Sequence, residues 1–437
     1  MGVASYRVGL RGGRLAAGMH VREPPSILWV KIRPPVRSAG VARSTMTSTG
    51  PNKPAILFTA FEPSGDALAA PIIERLKARA PDVKIYAWGG PLMEQAGATL
   101  VEHTVSNAAM GLGAIKKIRA VRRHHGEIRR WLKQYRVIAH IPVDSPAANF
   151  PICAMTRKAG AKIIHLGCPQ LWAWGGWRAG KLRKRTDLVL CLLPHEPTWL
   201  GERDIPGRFI GHPAINRELD LKELKKNLHG MPHGAPRLCL FPGSRPQEVR
   251  KNLRLLVNAF MELRSRNSGL TALIVAADAD IARLIRRKLK EFPSGLNMVT
   301  GQRDIAIAWC DIAIAVSGTV TLHLARQCKS MVGVYKTDLL SWLGSKVLLR
   351  TPFRLLPNII AEKEIVPEFV PHIGGARPIV NVVSRVFSDS KNAAEQQQGL
   401  ALLLSRFANK HYADEGALLV LKTIKGKKFD AGPSATA

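Results

Sequence analysis

Four short stretches hold the residue types that could do chemistry. The first runs from Ala55 to Asp66, an apolar, partly β-branched run ending in a turn with Glu62, Ser64, Gly65 and Asp66, followed by helical periodicity from Ala67 to Lys77. That order predicts strand, loop, helix. In an open α/β sheet ligands bind outside the carboxyl ends of the strands, which puts this turn at the rim of a site. Its carboxylates are ill suited to gripping a phosphate, and Ser64 or Asp66 serves equally well as a cap for the following helix. The second is Asp144, which ends the apolar run Val137 to Val143 and so points toward a ligand; with Ser145-Pro146 it also reads as a plain helix start. The third and fourth, Gly243-Ser244-Arg245 and Ser317-Gly318-Thr319, each follow a strand-like run and precede a helix. Glycine lets a backbone approach a phosphate, a helix N-terminus attracts it, and arginine binds it bidentately.

The elements that must position these residues alternate in type. Strands are expected at Ile56 to Ala60, Lys84 to Trp88, Val137 to Val143, Lys162 to Leu166 and Leu188 to Leu193. A second series covers Leu238 to Phe241, Ala272 to Ala276, Asn297 to Thr300, Asp311 to Val316 and Met331 to Tyr335, with helical stretches between. This is the pattern of an α/β protein with two doubly wound parallel sheets. The expected division is an N-terminal extension (1–53), a first Rossmann-like domain (54–207), a second Rossmann-like domain (208–375), and a helical C-terminal segment with a polar tail (376–437). The extension is Arg- and Gly-rich with Glu23 as its one acid, and Met46 just before the first strand is an alternative start.

Lys and Arg total 65 against 32 Asp and Glu, a formal net charge of +33. Such an excess favours anionic partners. Nucleic acid is not expected, for neither a zinc-finger spacing nor an RNP-type aromatic motif occurs. The six cysteines form no CxxC pair and read as reduced core residues, and no apolar run reaches the roughly 18 residues of a membrane span. The stretch 112–136 places Leu112, Ile115, Ile118, Val121, Ile128, Trp131, Leu132 and Tyr135 at near-helical spacing among Lys116, Lys117, Arg119, Arg122, Arg123, Arg129, Arg130 and Lys133. A basic amphipathic helix with Trp suits an anionic membrane surface; it suits equally a core helix with a solvated outer face, interrupted by Gly126.

Several blocks, in order, resemble the lipid A disaccharide synthase family. They are Glu62-Pro63-Ser64-Gly65-Asp66, Gly89-Gly90-Pro91, Met110-Gly111, Asp144-Ser145-Pro146 with Asn149-Phe150, Trp172-Ala173-Trp174, Leu193-Pro194 with Glu196, and Phe209-Ile210-Gly211-His212-Pro213. In the second half they are Pro242-Gly243-Ser244-Arg245 with Glu248-Val249, Ser317-Gly318-Thr319, and Leu356-Pro357-Asn358. The resemblance spans about Ile56 to Phe369 and implies a GT-B architecture. It also implies metal-independent, inverting transfer from UDP-2,3-diacylglucosamine to 2,3-diacylglucosamine 1-phosphate, without a cofactor, on the cytoplasmic face of the inner membrane. By resemblance Asp144 is the base, while Gly243, Ser244, Arg245, Ser317, Gly318, Thr319, His323 and Asn358 lie on the UDP-donor side. Glu62, Ser64, Asp66, Met110, Gly111, Asn149 and His212 fall on the acceptor side. Trp172 and Trp174 suit a sugar face or plain packing.

The chain departs from the family pattern at several places. Ala114 and Ala147 stand where acids are expected, Phe61 replaces a Gly, Pro371 falls near a usual Gln, and His323 takes the position of an acid that grips ribose hydroxyls. An imidazole accepts one hydrogen bond where a carboxylate accepts two or more. The departures keep two alternatives open: another GT-B UDP-sugar enzyme with a different acceptor, and a non-catalytic relative that binds membranes or polyanions.

Overall fold

The computed structural model describes residues 54–105, 114–173, 175–337 and 351–426, without the side chains of 114–118 and 390. The N-terminal extension, Met110, Gly111, Leu112, Trp174 and the side chains of Ala114, Ile115, Lys116, Lys117 and Ile118 therefore lie outside the described residues.

The first half runs β1 (Ala55–Thr59), α1 (Pro63–Arg79), β2 (Lys84–Gly89), α2 (Pro91–Gln95), β3 (Thr99–His103), α3 (Ala114–Trp131), β4 (Val137–Pro142) and α4 (Pro146–Lys158). It continues with β5 (Lys162–Leu166), α5 (Ala179–Arg185), β6 (Leu188–Cys191), α6 (Glu196–Gly201) and β7 (Gly207–Phe209). Its seven strands lie in the order β3-β2-β1-β4-β5-β6-β7, all parallel. After α7 (Pro213–Asn216) and α8 (Leu221–Leu228), the second half follows with β8 (Arg237–Phe241), α9 (Pro246–Arg266), β9 (Thr271–Ala276), α10 (Ala279–Leu289), β10 (Leu296–Thr300), α11 (Arg303–Trp309) and β11 (Ile312–Val316). Next come α12 (Val320–Arg326), β12 (Ser330–Lys336), α13 (Leu356–Ala361) and β13 (Glu368–His372). Its order, β10-β9-β8-β11-β12-β13, is the same 3-2-1-4-5-6 winding. Helices on both faces bury the inner strands completely, so β1 and β11 read as continuous apolar runs rather than alternating ones.

All ten expected strands form. The three that sequence patterning did not show are β3, β7 and β13. Edge strands β3 and β13 are half exposed and carry polar residues, with Pro371 tolerated in β13 because an edge needs fewer donors. Strand β7 has only three residues. Helix α3 continues through Gly126 instead of breaking there. On its inner side Ile128 and Trp131 are buried against Leu57 and Trp88, and Trp131 stacks on Tyr135 at 4.4 Å.

The C-terminal segment is helical as expected, in α14 (Arg377–Ser388), α15 (Ser390–Ser405) and α16 (Tyr412–Ile424). It does not stay with one half. Val383 of α14 belongs to the second core, whereas Tyr412, Ala417 and Val420 of α16 pack with Ile72, Ile73 and Leu76 of α1 in the first. Tyr412 donates its hydroxyl to the Leu68 carbonyl at 2.7 Å, and Arg79 pairs with Asp414 at the same distance. A further cluster, with Leu193 and Ala214 beside Leu322, Ile360, Leu403 and Phe407, joins the two halves.

Packing rather than hydrogen bonding should hold α16 in place. Ile72→Ala, at a fully buried position, is expected to cost about 2–5 kcal/mol in urea unfolding. Tyr412→Phe should cost only about 1 kcal/mol. Equal losses in the two variants would contradict this ordering.

Candidate active site

Strand β4 must end where its carbonyls run out of partners, and it does so through an unusual turn. Asp144 and Ser145 both take left-handed backbone angles, φ +43° and +42°. The Asp144 N–H still bonds to Leu166 O at 2.9 Å, extending the sheet by one residue before the chain swings into α4. Asn149, wholly buried, donates its amide to Val143 O and Asp144 O at 3.0 and 2.8 Å and thereby clasps the turn. The Asp144 side chain is open to solvent by accessible area, yet protein crowds it on several sides. Crowding governs its hydration, so its carboxyl sits above the ordinary range: lost hydration raises it most, the Ser145 N–H lowers it, Glu62 raises it and Arg245 lowers it.

Glu62 and Arg245 come from different halves and meet at 3.1 Å. Glu62 precedes α1 without capping it, and Arg245 precedes α9. The other face of Arg245 bonds to Glu248 Oε1 at 3.1 Å. Glu248 Oε2 accepts from the Ser244 and Arg245 N–H groups at 3.0 and 3.2 Å, which is the returning half of a capping box; the N-cap arginine is donor-only and cannot supply the other half. The backbone donors expected to face a diphosphate are thus occupied by the chain's own carboxylate. Gly243, at φ +108°, makes room for it, since a Cβ there would lie 2.6 Å from Glu248 Oε2. What the turn presents outward is the exposed Ser244 and the exposed Arg245 side chain.

Ser317 continues β11 by donating to Val334 O at 2.9 Å, and Gly318 and Thr319 are exposed at the start of α12. His323 lies one turn further in. Its Nδ1 is buried without a hydrogen-bond partner, 4.0 Å from Asp304 Oδ1. The two do not form an ion pair, because burial and the nearby Arg303 push the ring down to about 3 and leave it neutral. Asp304 is held instead by Arg303 and by Arg326 at 2.9 Å. Asn358 is fully buried. It donates to Val366 O and Glu368 Oε2, and accepts from the Ile365 and Val366 N–H groups, all within 3.0 Å, so no hydrogen-bonding position of its amide is left over.

Two other sequence candidates are occupied structurally. Asp66, 2% exposed, lies inside α1 and caps a different helix from the one expected, accepting from Gly90, Leu92 and Met93 N–H groups at the start of α2. His212 caps α7 through Nδ1, which accepts from Ala214 N at 3.0 Å. Ser64 is exposed in the first turn of α1. Trp172 packs edge-on against His195 and donates to Glu196 at 3.4 Å.

Sequence reasoning gave no role to Glu196, Glu248, Asp304 or Glu368, all of which organise these loops. Only Glu248 had a local signal, three residues after Arg245 and just ahead of an apolar helix. Nor did spacing reveal that Glu102, His124 and Glu127 converge, with ligand atoms within 4.8 Å of one another. They come from β3 and α3, and Arg123 already lies 3.7 and 3.5 Å from the two carboxylates. A cavity of about 670 Å³ opens beside His195, Trp199, Glu362 and Arg406, with no residue of the Asp144 turn in its lining.

Two sheets of the same 3-2-1-4-5-6 winding, with an acid and an arginine meeting across their strand ends, define a two-domain α/β protein of the GT-B fold. The lipid-A-disaccharide synthetase family model matches residues 56–417. A lipid-A-disaccharide synthase of Pseudomonas putida is 31% identical over 371 residues, covering 84% of this chain and 98% of its own. One from Burkholderia mallei is 31% identical, covering 77% and 88%. The chain belongs to the lipid-A-disaccharide synthase family. Among solved structures, a UDP-GlcNAc 2-epimerase from Neisseria meningitidis aligns with a TM-score of 0.57 at 10% identity, and a glycosyltransferase from Rickettsia africae with 0.51 at 15%. Each alignment covers 86% of this chain and all of the other, and these likenesses concern the fold.

Glu196 supplies a pH test. It is 2% exposed, and burial pushes its carboxyl up to about 7, against the favourable pull of the Leu193 and Leu192 N–H groups and Trp172. A carboxyl whose folded value is raised adds stability below its unfolded value near 4.5 and loses it as pH rises through about 7. Wild-type stability should therefore fall relative to Glu196→Gln between pH 5 and 8, by up to about 3 kcal/mol in urea unfolding. A constant difference across that range would contradict the assignment.

Proposed function

We propose that the meeting point of the two sheets is where 2,3-diacylglucosamine passes, with inversion, from its UDP conjugate to 2,3-diacylglucosamine 1-phosphate, giving the β-1,6 disaccharide of lipid A and UDP. Family membership supports the reaction. The observation that carries the residue assignment is Asp144, a crowded carboxylate at a strand end that feels the charges of the Glu62–Arg245 pair, whose arginine comes from the other half. Its carboxylate takes the proton from the acceptor 6-hydroxyl as that oxygen attacks the anomeric carbon. The bond from that carbon to the β-phosphate oxygen breaks, and UDP leaves with the electron pair. Arg245 offsets the charge that develops on the diphosphate, with the hydroxyls of Ser244, Ser317 and Thr319 as further donors. A carboxyl raised above its ordinary range is better matched to a base at neutral pH. Glu62 and Ser64 border the acceptor side; Asp66, Asn149, His212 and Asn358 act by holding the loops around it.

Membrane association is carried by α3. Arg119, Arg122, Arg129 and Arg130 are exposed, their spacing by three, four and seven puts them on one face of α3 with the bare Gly126 among them, and the exposed Lys133 follows in the turn after the helix. No helix among the described residues is long and apolar enough to cross a membrane. A peripheral place on the cytoplasmic side of the inner membrane suits the acylated substrates and this basic face. One observation favours a second reading, a GT-B enzyme for another nucleotide or acceptor: neutral His323 where a ribose-gripping acid is expected.

The purified protein is expected to release UDP from UDP-diacylglucosamine only when the acylated acceptor phosphate is present; UDP binding without turnover would end the synthase reading. Asp144→Asn should lower kcat by about 10²–10⁴, and the wild-type rate should fall as acidification protonates Asp144. Arg119, Arg122, Arg129 and Arg130 changed to Gln should weaken partitioning onto anionic vesicles by about fivefold per charge. Unchanged partitioning would assign the membrane contact elsewhere.

A further inference from the structure

The turn that aims Asp144 is unfavourable where it stands. Two successive non-glycine residues at φ +43° and +42° each carry a cost of about 1–2 kcal/mol. Asn149 counters this by donating both amide hydrogens, to Val143 O and Asp144 O. With its nitrogen so committed, its Oδ1 has to accept, and it accepts the Thr59 hydroxyl at 2.6 Å. A hydroxyl has one proton. Thr59 Oγ1 must therefore accept from its other neighbour, His140 Nε2, at 2.8 Å. At the Thr59 end that sets His140 as the neutral ring with hydrogen on Nε2; its Nδ1 lone pair, 3.0 Å from the Thr156 hydroxyl, shares that hydroxyl's one proton with the Ile152 carbonyl, also at 3.0 Å. Thr59, His140, Asn149 and Thr156 are each 0% exposed, so water cannot replace a missing partner. Burial, aided by His165, pushes the His140 ring down to about 3 and keeps it neutral across the working range.

We propose that Thr59 and His140 are positioning residues for Asp144. His140 fixes the direction of the Thr59 proton, Thr59 fixes which end of the Asn149 amide faces the turn, and Asn149 holds the turn that presents the carboxylate. Reversing the amide would set its oxygen against two carbonyl oxygens, and the left-handed pair would lose its clasp. The inference rests on the reading of Asp144 as base and extends it to two residues, on β1 and β4, that never touch a substrate.

Thr59→Val keeps the β-branched shape that a strand prefers and removes the hydroxyl, at once the donor to Asn149 and the acceptor from His140. It should lower kcat by about 10–100-fold, the scale on which misplacing a reacting group is felt, and leave the KM for the UDP donor within about twofold. Thr59→Ser should restore most of the rate. Wild-type kcat in Thr59→Val, alongside an inactive Asp144→Asn, would overturn the positioning role and leave Asp144 standing. An active Asp144→Asn would remove both. Parallel loss of kcat and donor affinity, unrescued by serine, would also overturn it. A readout independent of Thr59→Val folding is ¹⁵N NMR of His140 in the intact wild-type protein between pH 5 and 8. Hydrogen on Nε2 is required; hydrogen on Nδ1 would reverse the chain and overturn the proposal.

Discussion

The Glu62–Arg245 contact ties the two halves together where they matter, and it does so without adding much stability. Both side chains are partly exposed, and an ion pair of that kind contributes roughly 0–1 kcal/mol. The halves are held instead by the apolar cluster around Leu193, Leu322 and Phe407 and by α16, which returns from the second half to pack on α1. The ion pair is free to serve another end. It sets the charge beside Asp144, one carboxylate raising its proton affinity and one guanidinium lowering it. A weak, exposed contact can be exchanged for a ligand at small cost, whereas a buried one cannot.

The sequence conveyed the fold well because its signal is additive. Ten apolar runs separated by amphipathic stretches leave little room for anything but two wound sheets, and only strands lacking the apolar run were missed: half-exposed β3 and β13, and three-residue β7. The site was legible in a different way. Asp144 and Arg245 could be picked out because a strand end and a helix start aim side chains at the rim whatever surrounds them. The family resemblance casts Asp66 and Asn358 as ligand contacts, but each has its polar atoms engaged by the backbone of a neighbouring loop, Asp66 at α2 and Asn358 at residues 365 and 366. Nothing in local spacing says whether a polar side chain at a rim faces inward or outward. Long-range contacts decide it, and single-sequence patterning does not contain them.

A common device runs through these loops. Helices α2, α9 and α13 all begin at the rim, and at each start the free N–H groups are met by an acid of the chain itself: Asp66, Glu248 and Glu368. Helix N-termini attract anions, so leaving three of them open around a bound diphosphate would offer competing places for it. On the reading proposed for this site, filling them internally leaves the side chain of Arg245 and a few hydroxyls to recognise the diphosphate, so that specificity rests on a guanidinium whose orientation is already set by two carboxylates.

That arrangement couples donor and base. Arg245 is shared between Glu62 and Glu248, and a diphosphate bound to its outward edge competes for the same hydrogens. On the reading proposed for this site, the donor draws the guanidinium's charge toward itself and away from Glu62, and an incompletely neutralised Glu62 raises the proton affinity of Asp144 further. On that same reading the base becomes stronger when there is a sugar to transfer, and weaker when the site holds no donor. His323 bears on the other end of the same ligand. As a neutral ring it adds no negative charge near the nucleotide, and Asp304, the nearest acid, is spent on Arg303 and Arg326. The second half therefore meets its anionic ligand with less opposing charge than an acid at position 323 would impose, in return for a poorer grip on the ribose hydroxyls.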